Sequence, residues 1–289
     1  MNSEHEREYG PSDVSVVVCT RNSIVSISAC LQSLRDAHVG EVIVVDASSS
    51  DGTREVANQF ADVVLTDHGE GLGAARNLGI GQSTLPFILN MGSDNILPPM
   101  QLQRMLHCLR QGSYCGVGAR TLIEGRSFGS RGLNLWREGR FIPGTARVIG
   151  TPSLFVGDLL RKHPYDSSRK FSDDSELCER WSRELNCNFA ISDAFVYETG
   201  KTEWHEIQVR AAMYGVSDYE VFTSGKRAGW NTRRQVLSVL HPLQVDFLGP
   251  LLHLSPDKAL RAVPFLTAFT LLRYRSWIQH ATKRSLRFP

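Results

Sequence analysis

The amino-acid sequence predicts an α/β fold: a mostly parallel sheet flanked by helices, followed by a helical C-terminal extension. Three observations carry this. Short β-branched runs alternate with helix-length amphipathic stretches through the first half of the chain. Those runs are apolar along their whole length, as in strands buried on both faces. From Lys201 on, the β runs stop and the pattern is mostly helical, with breaks expected near Gly225, Gly249 and Pro264.

The elements follow in order. Val14–Cys19 (VSVVVC) is a buried strand, and Ile24–Leu34 a helix with Ile27, Leu31 and Leu34 on one side. Glu41–Val45 is a second strand, Gly52–Phe60 a helix, and Ala61–Thr66 a third strand. Gly71–Gly81 is a helix behind a Gly-rich turn, Leu85–Met91 a fourth strand, and Pro98–Leu109 a helix. The βα repetition implies parallel strands, whose ligands bind outside the carboxyl ends. Residues 112–150, rich in Gly and Arg, are expected to contain loops near that ligand. Ser153–Val156 reads as a strand, and Asp173–Leu185 as a helix with Leu177, Trp181 and Leu185 on one face.

Composition bounds the function. A chain of 289 residues that is 42% hydrophobic can build a large core. Its formal net charge is only +2, so no nucleic-acid partner is expected. Cys19, Cys30, Cys108, Cys115, Cys178 and Cys187 form no CxxC pair and read as reduced thiols of a cytosolic protein. The polar N-terminus, MNSEHEREYGPSD, lacks the apolar region of a secretory signal. No apolar run reaches the roughly 20 residues of a membrane span. The nearest, Ala262–Leu272, contains Pro264 and reads as a buried helix, with contact to a membrane surface as the sharper alternative.

Polar residues follow the strand ends: Thr20, Arg21 and Asn22 after the first, Asp46 at the second, Ser93 and Asp94 after the fourth. A carboxylate at Asp46 suits a base N–H or a ribose hydroxyl, or merely caps its turn, and Asp51 can cap the next helix. Gly71, Gly73 and Gly79 surround Arg76 and Asn77 without forming GxGxxG or a Walker loop; they serve either a ligand's approach or tight helix packing. Arg76 can pair with a phosphate or a carboxylate. Asp94 beside Asn95 suits a hard cation such as Mg²⁺ or Mn²⁺, or an ordinary Asp-Asn turn. Asp173 and Asp174 open a helix, where the macrodipole favours them; an exposed carboxylate there can also act as a general base.

Taken together and in this order, these segments resemble a family 2 glycosyltransferase with the Rossmann-like GT-A fold. The resemblance runs from about Val14 to Leu185. It rests on VSVVVCTRN, EVIVVDASSSDGT, GLGAARNLGI, FILNMGSDNILPP and FSDDSELCERW. It implies that Thr20, Asp46 and Arg76, with Arg21, Asn22 and Ser93, contact a nucleotide-sugar. It implies that Asp94 holds the divalent metal and that Asp174 is the catalytic base of an inverting transfer to an acceptor hydroxyl. Arg120, Arg126, Arg131 and Arg137 are candidates to help neutralise the leaving diphosphate. Asp173, Trp204 and His205 are expected on the acceptor side, and Glu198 stands about where similar proteins have a histidine. Two departures weigh against full equivalence: Gly92 replaces the first Asp of D-x-D, and Ala47 the second Asp of the family's Asp pair.

The implied organisation is a disordered tail over 1–12, a catalytic domain over 13–200 (donor part 13–110, acceptor part 111–200) and a helical extension over 201–289. The donor is expected to be UDP-linked, and the acceptor is a glycan, a lipid-linked sugar or a small molecule. The basic, apolar C-terminal segment (LLRYRSWIQHATKRSLR) suggests peripheral contact with the inner face of a membrane, or packing on the catalytic domain or on a homodimer partner. The competing readings are a nucleotidyltransferase, which needs a Gly-rich signature after the first strand, and a nucleotide-binding scaffold that has lost transfer.

Overall fold

The computed structural model describes residues 9–67, 69–168, 173–200 and 203–285. Its elements run β1 (Val14–Thr20), α1 (Ile27–Asp36), β2 (Glu41–Asp46), α2 (Thr53–Phe60), β3 (Val63–Thr66), α3 (Leu72–Gln82), β4 (Phe87–Gly92), β5 (Asn95–Ile96) and α4 (Gln101–Gln111). They continue with β6 (Gly116–Ile123), α5 (Phe128–Arg140), β7 (Gly144–Ala146), β8 (Ser153–Val156), α6 (Gly157–Lys162), α7 (Asp173–Glu184) and β9 (Phe189–Glu198). The helical end comprises α8 (Trp204–Arg227), α9 (Thr232–Pro242), a π-helical segment (Leu243–Leu248), α10 (Gly249–His253) and α11 (Pro256–Ser285).

Among the described residues nine strands form one sheet, in the order β3-β2-β1-β4-β8-β6-β9-β5, with β7 on β9. The half containing β1 to β4 is parallel. β8 joins both β4 and β6 antiparallel, and β5 and β7 join β9 antiparallel, so the sheet is mixed. In the parallel half the register sets Thr20 against Asp46 and Cys19 against Gly92, which levels three strand ends at one edge. The strands are buried because their valines and isoleucines meet helices: Val16, Val18, Val42, Val44 and Leu89 share a core with Ile27, Leu31 and Leu34 of α1. α3 approaches β1 and β2 so closely that a Cβ on Gly79 would sit 2.5 Å from Val17 Cγ1 and 3.1 Å from Val45 Cγ2. Tight packing is therefore the use of this glycine.

The chain divides into two compact units. One takes the residues up to Thr121 together with Pro143–Thr199; the other takes Leu122–Ile142 together with the residues from Gly200 on. The second unit has its own core, in which Leu133 and Trp136 of α5 pack with Ile207 and Ala211 of α8 and Phe265, Leu266 and Phe269 of α11. Ala262, Phe265, Leu266 and Phe269 are fully buried, while Val263 is 37% and Leu271 63% exposed, so the longest apolar run is a helix buried on one face. Among the described residues no helix is long and apolar enough to cross a membrane.

Three expectations need correction, and one segment is more regular than its composition suggests. Residues 112–150 contain short connecting stretches, as expected, around β6, the 13-residue α5 and β7. Their glycines lie inside elements where a side chain would collide, Gly116 with Phe155 (2.6 Å) and Gly132 with Phe265 (2.1 Å). α11 does not break at Pro264 but continues through it for 30 residues. The cysteines are not all reduced: Cys115 and Cys187, 72 residues apart, form a disulfide with a Cα–Cα distance of 5.7 Å. The Cys115 N–H donates to Asn188 O (2.9 Å), which brings the entries of β6 and β9 side by side, a proximity that sequence spacing does not reveal. Of the expected N-terminal tail, residues 1–8 lie outside the described residues. The next part is ordered: Pro11–Asp13 form a 3₁₀ turn, and the Tyr9 ring meets Phe87 edge-on at 5.1 Å.

Candidate active site

Side-chain hydrogen bonds tie together the loops at the level strand ends. After β1, Asn22 adopts a positive φ of 49°. Its N–H donates to Ser49 Oγ (2.8 Å), and its Oδ1 accepts from the Ser50 N–H (2.9 Å). Asp46 is buried at the end of β2 and accepts from the Ser49 N–H (3.0 Å) and hydroxyl (2.5 Å). It therefore does cap its turn. Asp51 accepts from the Thr53 N–H and hydroxyl and from the Ile24 N–H, and the Thr53 hydroxyl first of all holds its carboxyl below the usual range. Ser23 Oγ lies 3.0 Å from Ser93 Oγ, linking the β1 loop to the turn after β4. Thr20 ends β1 at this rim: it is buried, and its hydroxyl has no hydrogen-bond partner among the described residues. A buried orphan hydroxyl at a ligand edge is a group awaiting a partner. Arg21 is exposed beside it.

A second cluster forms around Arg76 of α3, which is only 6% exposed. Its Nη1 donates to Asp173 Oδ2 (2.7 Å) and Asp174 Oδ1 (2.9 Å), and its Nη2 donates to Thr151 Oγ1 (2.5 Å). Of the two partners open to Arg76, carboxylates are the ones present. Burial works against its charge, but Asp174, Tyr165 and Asp173 outweigh that and hold the guanidinium above its ordinary value. The guanidinium also lies 5.1 Å over the Tyr165 ring. Tyr165 donates its hydroxyl to Asp174 Oδ1 (3.3 Å) and accepts from Asn90 Nδ2 (3.1 Å). Asn77 fixes the tyrosine by its backbone, donating to Tyr165 O (2.8 Å) and accepting from Tyr165 N (3.0 Å). Burial, then the charge of Asp174, pushes the Tyr165 phenol well above its normal range, so it remains a donor.

The result is one cation facing two carboxylates. Burial raises the Asp174 carboxyl above its ordinary value; Arg76 pulls it down and Asp173 pushes it up. The Asp174 side chain keeps 23% of its surface exposed. Its Oδ1 takes both hydrogen bonds, and among the described residues none reaches Oδ2. The two clusters meet at Cys19, next to Thr20. Burial pushes this thiol up to about 12, and it also feels the charges of Arg76, Asp67 and Asp173.

Asp94 follows β4 and is partly buried; its carbonyl accepts from the Thr199 N–H (2.7 Å) and hydroxyl (3.0 Å). Pairing of Asn95 with Glu198 brings the buried Glu198 alongside this turn. A Cβ at Gly92 would stand 2.9 Å from Asp94 Oδ1, so Gly92 lets the carboxylate fold back over its own turn. Among the described residues no three His, Cys, Asp or Glu side chains converge to hold a metal unaided. A single hard oxygen donor does fit Mg²⁺ or Mn²⁺ held by one carboxylate plus ligand phosphates and water.

Of the residues expected on the acceptor side, Asp173 lies in the Arg76 cluster. Trp204 and His205 open α8 in the helical unit, where the Trp204 ring packs on Phe128 (5.3 Å) and Phe265 (6.2 Å) and His205 is exposed. Arg126 and Arg131 are exposed, whereas Arg137 is buried and Arg120 has a buried Nε with no partner. Sequence reasoning missed Tyr165, Thr151 and Asn90. Tyr165 and Thr151 lie in irregular segments with no periodic signal, and Asn90 sits within an apolar strand.

Polar side chains and a carboxylate pair gathered at the carboxyl ends of parallel strands stand where α/β folds bind their ligands. The family model described as glycosyl transferase family 2 matches residues 15–158. Over 100 residues the chain is 33% identical to the succinoglycan biosynthesis protein ExoO of Rhizobium meliloti, covering 32% of this chain and 29% of that protein. Over 81 residues it is 37% identical to glycosyltransferase AglE of Haloferax volcanii, covering 25% of this chain and 27% of that protein. These matches span under a third of either relative. Among solved structures, the mannosyltransferase PcManGT of Pyrobaculum calidifontis, in complex with GDP-Man and Mn²⁺, aligns with a TM-score of 0.56 at 18% identity, covering 97% of this chain and 81% of that one. Residues 1–349 of S. aureus TarS, in complex with UDP-GlcNAc, align with a TM-score of 0.53 at 17% identity, covering 93% and 92%. Just under half of the chain, residues 15–158, therefore carries the sequence pattern of glycosyl transferase family 2, on the GT-A fold of the solved neighbours.

Proposed function

We propose that the chain transfers a sugar, with inversion, from a nucleoside-diphosphate sugar to an acceptor hydroxyl, with Asp174 as general base. The observation that carries this is the Asp173–Asp174 pair facing Arg76, with Asp174 partly exposed, its carboxyl raised by burial, and its Oδ2 reached by no hydrogen bond among the described residues. A partly exposed carboxylate with an open second oxygen is placed to take a proton from an acceptor hydroxyl.

In this reading the donor lies along the rim of Thr20, Arg21, Asn22, Asp46 and Ser93. Thr20 Oγ1 and Asp46 engage the nucleoside, and Arg76 acts by fixing the base. Uridine diphosphate is the favoured nucleotide: TarS is known in complex with UDP-GlcNAc, although PcManGT is known with GDP-Man. The acceptor O–H gives its proton to Asp174 Oδ2 as its oxygen bonds to the anomeric carbon. The bond from that carbon to the diphosphate oxygen breaks, and its electron pair leaves with the nucleoside diphosphate. The transition state is oxocarbenium-like. Asp94 would hold the divalent ion, which when bound supplies neutralisation of the leaving diphosphate as a Lewis acid.

The test is calorimetry of the purified chain with UDP, GDP, ADP and CDP, in Mn²⁺ and then in EDTA. The expected result is metal-dependent binding of one nucleotide, weakened in Asp94→Ala. Binding of no nucleotide under either condition would overturn the donor assignment.

A further inference from the structure

Exposed apolar side chains that share one face of a helix mark an interaction surface. α9 carries such a face. Val236, Leu237, Val239 and Leu240, with Leu243 just beyond the helix end, are each 36–51% exposed. At about 3.6 residues per turn they occupy about 160° of the circumference. Gln235, Ser238 and Pro242, on the other side, are more covered. The helix is held firmly in this orientation. Asn231 caps it by accepting from the Arg234 N–H (2.9 Å), and Tyr274 donates to Val239 O (2.8 Å).

Along the chain the charge flanking this face has one sign, after the partly exposed Glu220. Residues 221–245 contain Lys226, Arg227, Arg233 and Arg234 and no Asp or Glu. All four cations are exposed, and Arg233 lies on the apolar arc itself, at its N-terminal end. The next acid, Asp246, is fully buried and bonded to Arg140 and Arg273, so it offsets nothing at the surface. The C-terminal segment 271–287 is the weaker candidate: Arg273 is buried against Asp218 and Asp246, and residues 286–287 lie outside those described.

We propose that α9 docks on a bilayer surface bearing anionic headgroups, with its aliphatic arc in the headgroup–acyl boundary and Lys226, Arg227, Arg233 and Arg234 over the phosphates. Apolar face and basic rim are the two features of interfacial helices. A second copy of the chain fits less well, because a two-fold contact through this face would bring the same cations together.

The experiment is co-sedimentation of the full chain with phosphatidylcholine vesicles, with and without phosphatidylserine. Binding is expected only to the anionic vesicles and should weaken as salt is raised. Lys226→Gln and Arg233→Gln should each weaken it about fivefold. Leu237→Glu with Leu240→Glu should abolish it, while the thermal melt by circular dichroism stays unchanged. Failure to bind anionic vesicles, equal binding to neutral ones, or binding undiminished in the double variant would overturn the proposal. So would a concentration-dependent dimer that the double variant abolishes, because a second copy would then cover the face.

Discussion

Each unit of the molecule buries arginines against aspartates, and the two networks balance differently. In the sheet unit, among the described residues, Arg76 alone pairs with Asp173 and Asp174, one cation for two carboxylates. In the helical unit, Arg140 and Arg273 face Asp218 and Asp246, two cations for two carboxylates. Asp246 is fully buried and saturated. Its Oδ1 accepts from Trp136 Nε1 (3.2 Å) and Arg140 (2.7 Å), and its Oδ2 accepts from Arg273. Arg273 grips Asp218 with two bonds, from Nε (2.5 Å) and Nη2 (2.7 Å). A closed network of this kind pins α5, α8, the π-helical segment and α11 to one another; it does no chemistry. The sheet-unit network is left open at Asp174 Oδ2, and an unbalanced, partly exposed carboxylate is what proton transfer requires.

The contrast predicts where each network is vulnerable. Asp246→Ala takes one acceptor from the buried Arg273, which keeps Asp218, and from the partly exposed Arg140 and the Trp136 indole N–H, and should cost about 3–5 kcal/mol of stability. Chemical denaturation measures this. Arg76→Leu should cost less, about 1–3 kcal/mol, because water can reach Asp174 to relieve the unpaired carboxylate. If Arg76→Leu proved the more destabilising of the two, the distinction between a closed and an open network would fail. Tyr165→Phe should be milder still, near 1 kcal/mol, and its sharper signature is in pH. A base must be deprotonated to act, and burial raises Asp174, so activity should rise with pH through a midpoint above the ordinary carboxylate value of about 4. The Tyr165 hydroxyl stabilises the charged carboxylate, so its loss should move that acid limb of kcat/KM further up. An acid limb that stayed in place would separate Tyr165 from Asp174. Thr151→Val removes one neutral acceptor from Arg76 and should have the smallest effect, about 0.5–1 kcal/mol, with the acid limb little moved.

The sequence made much of the first unit legible and less of the second. β1 to β4 stand out because strands buried on both faces must be apolar throughout, and Asp46 and Asp94 because a carboxylate ending such a run is conspicuous. Gly116, Gly118 and Gly132 lie within elements, because glycine signals a turn only when conformational freedom is its purpose. Here each makes room for a neighbour: Phe155, Ile191 and Phe265. Pro264 misled for a related reason, since propensity yields to a core that includes Ala262, Phe265 and Phe269. Arg76 was visible as a candidate, but its partners lie about 75 to 98 residues away and only folding selects carboxylates over phosphate. Tyr165 and the Cys115–Cys187 bond were illegible because both depend on long-range proximity and neither has a periodic signal.

The open carboxylate is tested most directly by replacing Asp174 with Asn, which keeps the shape and the Arg76 neighbourhood but removes the base. Turnover would be measured at saturating donor, with donor affinity measured by calorimetry on the same preparation. The account predicts a loss of about 10²- to 10⁴-fold in turnover with donor binding intact. Turnover near that of the unaltered chain, with donor binding unchanged, would contradict it.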